Sequence, residues 1–174
     1  MGKKIATVVT NLFEDVEFTS PKEALITAGH QVITIENKAG NTVTGKKGDV
    51  AITIDKGIDD VSPEDFDALL IPGGFSPDQL RSDDRFLAFT KAFADAKKPI
   101  FSICHGPQLL INAEVVKGKK MTAVKQVGVD LINAGALFED SEVVLDESGI
   151  ISSRTPEDLP AFNQAIVQAL ADES

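Results

Sequence analysis

Pro99-Ile100-Phe101-Ser102-Ile103-Cys104-His105-Gly106-Pro107 reads as a short apolar strand, a sharp turn and the start of a helix. The same alternation of strand and helix signals runs through the whole chain, which argues for a parallel sheet with helices on both faces. Upstream, residues 4–10 form the first strand. Ser20-Pro21-Lys22-Glu23 has the pattern of a capping box with proline at the first helical position, and Gly29 closes that helix. Residues 31–36 give the second strand. The Gly-punctuated piece 43–54, with Lys46-Lys47-Gly48-Asp49 at its tip, reads as a hairpin or edge ribbon. Ser62-Pro63-Glu64-Asp65 starts a brief helical turn before the buried strand 68–71. Asp84 opens a helix whose Phe86, Phe89 and Phe93 share one face, a stripe suited to core or subunit contact, and Lys97 and Lys98 end it favourably for the dipole.

Downstream of the Cys104 turn, the pattern predicts a helix over 108–116, a strand over 121–124 and a helix over 129–134 stopped by Gly135. Two strands follow over 143–145 and 150–153, joined through Glu147-Ser148-Gly149. The last helix opens with Thr155-Pro156-Glu157-Asp158 and runs to about Ala171. The expected architecture is one α/β domain over residues 1–174, with an open, doubly wound, mostly parallel sheet sandwiched by helices and a small edge hairpin. Such sheets bind ligands beyond the carboxyl ends of their strands. Three features fall there: the acidic segment 14–17, Gly73-Gly74 and Cys104-His105.

Cys104 is the only cysteine. A lone cysteine is commonly a small buried hydrophobe, but this one sits where a strand turns into a helix. There it faces the first unpaired N–H groups and the positive dipole end, which favour the nucleophilic thiolate. The context resembles the nucleophile elbow of serine hydrolases, with sulfur in place of oxygen. Gly73 and Gly74 let backbone N–H groups approach a ligand closely, and with the His105 N–H they can form an oxyanion hole. In Phe13-Glu14-Asp15-Val16-Glu17-Phe18 the apolar residues interleave with the acids, so part of the segment turns inward. A carboxyl beside a thiolate shares a proton with it and serves as a general acid or base. Spacing leaves open which acid faces the sulfur. His105, next to the nucleophile, is either a base folded back on it or a residue that shapes the pocket. His30 reads as structural.

The net charge of −10 argues against nucleic-acid contact, because phosphate binding needs clustered Lys and Arg. With one cysteine and two histidines the chain offers few soft metal ligands, and no EF-hand spacing surrounds the acids, so no metal and no cofactor is expected. A single cysteine excludes an intrachain disulfide and fits a reducing compartment. The basic start Met1-Gly2-Lys3-Lys4 precedes an apolar run too short for a signal peptide, Ala6 stands where myristoylation wants Ser or Thr, and no stretch reaches transmembrane length. The expected location is the cytosol, away from membranes.

Five segments together resemble the ThiJ/PfpI superfamily, in its intracellular protease I branch. They are Phe13-Glu14-Asp15-Val16-Glu17, Leu70-Ile71-Pro72-Gly73-Gly74, Ile103-Cys104-His105-Gly106-Pro107, Asp130-Leu131-Ile132-Asn133-Ala134-Gly135 and Ser152-Ser153-Arg154-Thr155-Pro156-Glu157-Asp158-Leu159. The resemblance implies a flavodoxin-like sandwich, a homodimer or larger assembly, Cys104 as nucleophile and Glu17 as the acid bonded to it, with Glu14 nearby in the site. It also implies that a carboxylate from a neighbouring subunit orients His105. The matching position is Asp78, shorter than the Glu that branch members often carry. Val124 stands where many relatives have a pocket tyrosine, and this chain has no tyrosine. Glutamine amidotransferases share the cysteine elbow but end in His-Pro-Glu. The matching Thr155-Pro156-Glu157 lacks the histidine, which argues against that triad.

The activity implied is deglycase or glyoxalase conversion of methylglyoxal and its early adducts, with a small aldehyde or a glycated protein as substrate and stress protection as the role. Two alternatives remain: a cysteine peptidase of Cys104, His105 and Asp78 completed in the oligomer, or an oxidation-sensing stress protein or holdase.

Overall fold

The structure is a computed structural model that describes residues 2–172; Met1, part of the basic start, lies outside the described residues. In chain order the elements are β1 (Lys4–Val8), α1 (Asp15–Thr27), β2 (Gln31–Glu36), β3 (Thr42–Thr44), β4 (Ala51–Thr53), β5 (Lys56–Gly57), β6 (Ala68–Ile71), α2 (Ser76–Leu80), α3 (Asp84–Asp95), β7 (Ile100–Ile103), α4 (Pro107–Asn112), β8 (Lys120–Met121), α5 (Lys125–Asn133), β9 (Leu137–Phe138), β10 (Val144–Leu145), β11 (Ile150–Ser153) and α6 (Leu159–Asp172). Short 3-10 turns precede β6 and α6.

Seven strands form the main sheet in the order β10-β11-β7-β6-β1-β2-β5. All neighbours are parallel except the β10–β11 edge pair. From β1 the chain steps to β2 on one side and later to β6 on the other, so the strand order reverses at β1–β6. Ligands of doubly wound sheets sit at such a switch point. Both faces of the sheet are buried. Ile5, Leu70, Phe101 and Ile103 pack against α1 and α6 through Leu25, Phe162 and Ile166. Ala6, Val8, Leu69 and Ile71 pack against α3, α4 and α5 through Phe89, Phe93, Leu109 and Leu131. The Phe86, Phe89 and Phe93 stripe lies in this second core.

The hairpin β3–β4 is a separate two-stranded sheet rather than a ribbon on the main sheet's edge. It closes over a small cluster of Val9, Phe13, Phe18, Val43 and Ile54, in which the Phe13 and Phe18 rings meet edge-on at 5.6 Å.

Four local expectations are corrected. Ser20-Pro21 does not cap α1, which begins at Asp15 and carries Pro21 in its interior. Tertiary contacts override the local pattern: the Asp15 carboxylate accepts the Lys47 and Val50 N–H groups of the hairpin at 3.0 and 3.1 Å. The Ser20 hydroxyl instead accepts a bond from Asn163 of α6. α4 stops at Asn112, because Glu114 takes a positive φ of 62°. The strand expected over 121–124 is reduced to β8, which pairs with β9 outside the main sheet. α5 starts at Lys125, earlier than residue 129.

Candidate active site

Cys104 follows β7 directly and adopts φ of 63°. A non-glycine residue in this region carries a strain of roughly 1–3 kcal/mol. Two long-range bonds fix the elbow: the Cys104 N–H donates to the Ser153 carbonyl at the end of β11 at 3.0 Å, and the Cys104 carbonyl accepts the Val124 N–H at 3.2 Å. The strained turn aims the side chain back over the strand ends, towards the residues that leave β1 and β6.

The acidic segment after β1 is folded opposite to a solvated charge run. Glu14, Asp15 and Glu17 are buried, at 7, 3 and 0 % exposure, while Val16 is 38 % exposed. Each acid has its own task. Asp15 ties down the hairpin. Glu14 sits at the N-terminal boundary of α1, 3.0 Å from Lys46 Nζ and 3.7 Å from Lys47 Nζ. Glu17 reaches the elbow. Its Oε1 accepts the Gly73 N–H at 3.0 Å, its Oε2 is buried with no hydrogen-bond partner among the described residues, and the carboxyl lies beside the Cys104 side chain, close enough for each to act on the other's ionisation.

This changes the role of Gly73. Its N–H holds Glu17 and is not free to complete an oxyanion hole, which corrects the expectation for that position. A side chain there would collide with Glu17 Oε1 and come within 3.0 Å of Cys104 Cβ. The N–H of His105 points to the sulfur. Gly74, with φ of 76°, is bracketed by cross-strand bonds from Glu14 N–H to the Gly73 carbonyl and from Phe75 N–H to the Leu12 carbonyl.

Burial, reinforced by the Glu14 charge, raises the Glu17 carboxyl to about 8, against the bond from Gly73 and the neighbouring Cys104 thiol, which lower it. Burial also pushes the Cys104 thiol up, and the negative charge of Glu17 adds to that; the His105 N–H and the Lys46 ammonium pull the other way. The expectation of a thiolate stabilised chiefly by a helix terminus is thus corrected. α4 has six residues and begins with proline, so it supplies little dipole and no N–H at its first position. What the site has in its place is a buried carboxyl beside a buried thiol, each held towards its protonated form.

His105 does not fold back on the sulfur. Its ring lies against Phe75, with centroids 6.5 Å apart, and no side chain among the described residues hydrogen-bonds it. Burial lowers its pKa, Lys46 and Arg81 add to this, and Asp78 opposes through its charge alone. Asp78 is exposed on α2 and paired with Arg81 at 2.6 Å. Glu17, Gly73, Cys104 and the His105 backbone therefore converge, with Glu14 one step removed; within one chain Asp78 does not join them. His30 accepts the Lys3 N–H at 3.0 Å through Nδ1.

Two neighbours of the site were not singled out in the sequence. Lys46 caps Glu14 and lies 5.7 Å over the ring of Phe75, which is 55 % exposed beside His105. The only local signal was the position of Lys46 at the tip of a Gly-punctuated hairpin.

A sequence profile described as the DJ-1/PfpI family matches residues 3–169. The chain belongs to the DJ-1/PfpI family. It is 58 % identical over 170 residues to the Escherichia coli (strain K12) protein named "Protein/nucleic acid deglycase 2", covering 98 % of this chain and 99 % of that one. It is 55 % identical over 170 residues to the Bacillus subtilis (strain 168) protein named "Putative cysteine protease YraA", covering 98 % and 99 %. Among solved structures, a two-domain protein from Anabaena variabilis with DJ-1/ThiJ/PfpI-like and ferritin-like domains superposes with a TM-score of 0.94 at 33 % identity, covering 97 % of this chain and 50 % of that one. These DJ-1/PfpI relatives share the flavodoxin-like sandwich found here. Among the described residues, no helix is long and apolar enough to cross a membrane.

Proposed function

We propose that the protein is a cofactor-free, cysteine-dependent hydrolase of carbonyl and glycation damage, with methylglyoxal and its early adducts as the substrate class. The observation that carries this reading is the meeting of a fully buried Glu17 carboxyl, raised to about 8, with the thiol at a strained elbow. A general acid or base works best when its pKa lies near the working pH. The relative named as a deglycase, at 58 % identity, supports the same class.

In this reading the Cys104 thiolate adds to the aldehyde carbon of methylglyoxal, and Glu17 delivers the proton to the new oxygen, giving a hemithioacetal. The Glu17 carboxylate then takes the hydrogen from that carbon as a proton and returns it to the neighbouring carbon, while the hydroxyl proton passes to the former ketone oxygen, leaving a lactoyl thioester. Water cleaves the thioester, releasing lactate and restoring the thiol. The sum is one methylglyoxal plus one water to one lactic acid, with no net electron transfer. On the carbinolamine that methylglyoxal forms with an amine, the C–S bond replaces the C–N bond and the amine leaves with the proton from Glu17, giving the same hemithioacetal. With Gly73 engaged with Glu17, the Gly74 N–H remains as a donor for the developing oxyanion, joined by the His105 N–H once the sulfur it faces has bonded to carbon. The reading takes the protein as a cytoplasmic homodimer or larger assembly that acts without metal or nucleic acid.

The test is lactate formation from methylglyoxal by the wild type, Cys104→Ser and Glu17→Gln. Both substitutions are expected to abolish it, and full turnover by Cys104→Ser refutes the reading. The second reading, a cysteine peptidase completed between subunits, draws on the printed name of the 55 % identical relative and on the charge of Asp78 acting at His105. It requires Asp78 to leave Arg81 for a histidine.

A further inference from the structure

We propose that Lys46 is a positioning residue for the nucleophile: its ammonium, fixed by the β3–β4 turn over the mouth of the site, provides the positive charge against which the Cys104–Glu17 pair ionises. The inference rests on the reading of Cys104 as the nucleophile and adds to it a residue outside the expected set.

The hairpin tip is held at the site by backbone bonds. The Lys46 N–H donates to the Phe13 carbonyl at 2.8 Å, the Gly45 N–H to the Val50 carbonyl at 2.8 Å and the Gly48 N–H to the Gly45 carbonyl at 3.0 Å. The Asp15 carboxylate takes the Lys47 and Val50 N–H groups. Gly45 lies so close to that carboxylate that a side chain at this position would collide with it, so the turn is drawn against the start of α1. Lys46 is thereby placed by the fold and not by the reach of a free side chain. Its Nζ is 3.0 Å from Glu14 Oε1 and 5.7 Å over Phe75, the ring that backs His105.

The charges around this ammonium explain why it is needed. From α1 it faces Glu14 and Glu17; from the elbow, Cys104 and His105; beside it on the hairpin stands Lys47, 3.7 Å from the other oxygen of Glu14. Asp78 and Arg81 pair with each other and act on His105. Glu14, Glu17 and Cys104 are three acidic groups within one buried corner. Once Glu17 and Cys104 have given up their protons, negative charge accumulates in that corner beside Glu14. Lys46 lowers the cost of each: it favours the charged forms of Cys104 and Glu17 and disfavours protonation of His105. A positioned opposite charge in a partly buried site moves an acid's ionisation by up to a unit or more, and one unit is tenfold in the ionised fraction.

The test is the rate of Cys104 alkylation by iodoacetamide as a function of pH, which reads the thiolate without any substrate, so a failure of the aldehyde reading leaves it intact. Lys46→Met is expected to shift the alkylation profile to higher pH and to slow the reaction at neutral pH by roughly threefold to tenfold. Lys46→Arg is expected to stay within about twofold of the wild type, because it keeps the charge at the same anchored turn. Lys47→Met, which removes an equal charge from a more exposed position, is expected to shift the profile less than Lys46→Met does. Superimposable profiles for the wild type and Lys46→Met overturn the proposal. So does an equal shift in Lys46→Arg, which makes packing the cause, or in Lys47→Met, which makes net charge the cause. Thermal unfolding of each variant establishes that the compared proteins are folded.

Discussion

Glu17, on the first helix, crosses the carboxyl end of the sheet to meet the side chain of Cys104. The meeting is possible because Gly73, between them, has no side chain and lends its N–H to the carboxyl at 3.0 Å. Three consecutive neighbours in the sheet thus supply the arrangement: β1 leads into α1 with Glu17, β6 into Gly73 and β7 into Cys104.

Gly73→Ala tests that arrangement. The added methyl has no free space, so it displaces Glu17, Cys104 or the β6 end. Overpacking of this kind costs about 1–3 kcal/mol. The urea midpoint is expected to fall accordingly, and lactate formation to fall with it. An unchanged midpoint with full activity would show that the carboxyl is not wedged there.

Glu17 makes stability depend on pH in a definite direction. Unfolded, its carboxyl ionises near 4.5; folded, near about 8. Between these values the unfolded chain has released a proton that the folded chain still holds, so the contribution of Glu17 to stability is intact below the first value and is lost as pH rises towards the second. The loss is on the order of a few kcal/mol. Glu17→Gln lacks this titration, so its advantage over the wild type in denaturant midpoint is expected to grow from acidic to mildly alkaline pH. A constant gap across that range contradicts the assignment.

Asp78→Ala separates the two catalytic readings. Asp78 is exposed and bonded to Arg81, so its removal is expected to leave lactate formation within about twofold and stability nearly unchanged, as for an exposed ion pair. The peptidase reading expects Asp78→Ala to abolish activity against a fluorogenic peptide while Glu17→Gln spares it. Assays of both variants on both substrates decide between them.

Asp15→Ala removes a buried carboxylate that accepts two backbone N–H groups of the hairpin. Bonds to a charged group contribute roughly 1.5–3 kcal/mol each. Destabilisation of at least about 2 kcal/mol is expected, and amide hydrogen exchange at Lys47 and Val50 is expected to accelerate selectively. Exchange that stays slow at both positions counts against the anchoring role.

The order of strands and helices was legible in the sequence because the strands at Ala6, Leu69 and Phe101 are apolar runs between clear turn signals. The elbow was legible because Cys104 and Gly73-Gly74 follow two such runs. What misled was local chemistry overruled at long range. Ser20-Pro21 has a strong helix-start pattern, but α1 begins earlier because Asp15 and Glu17 find their partners on the hairpin and at Gly73. The inward turn of the acids, with Val16 outside, also depends on those partners and has no signature in the segment itself. The rise in Cys104's pKa follows from burial and from Glu17, neither of which the turn sequence encodes. Lys46 is a tip residue in sequence and a neighbour of the site only once the hairpin folds over Phe13 and Phe18.

The protonation of Glu17 can be observed directly by infrared difference spectroscopy across pH, comparing the wild type with Glu17→Gln. The account predicts a protonated buried carboxyl band in the wild type at neutral pH that disappears as pH rises through about 8, together with a change in the thiol stretch, and is absent from Glu17→Gln. A Glu17 carboxyl that is already ionised at pH values where ordinary glutamates are, or a thiol signal indifferent to its ionisation, would contradict it.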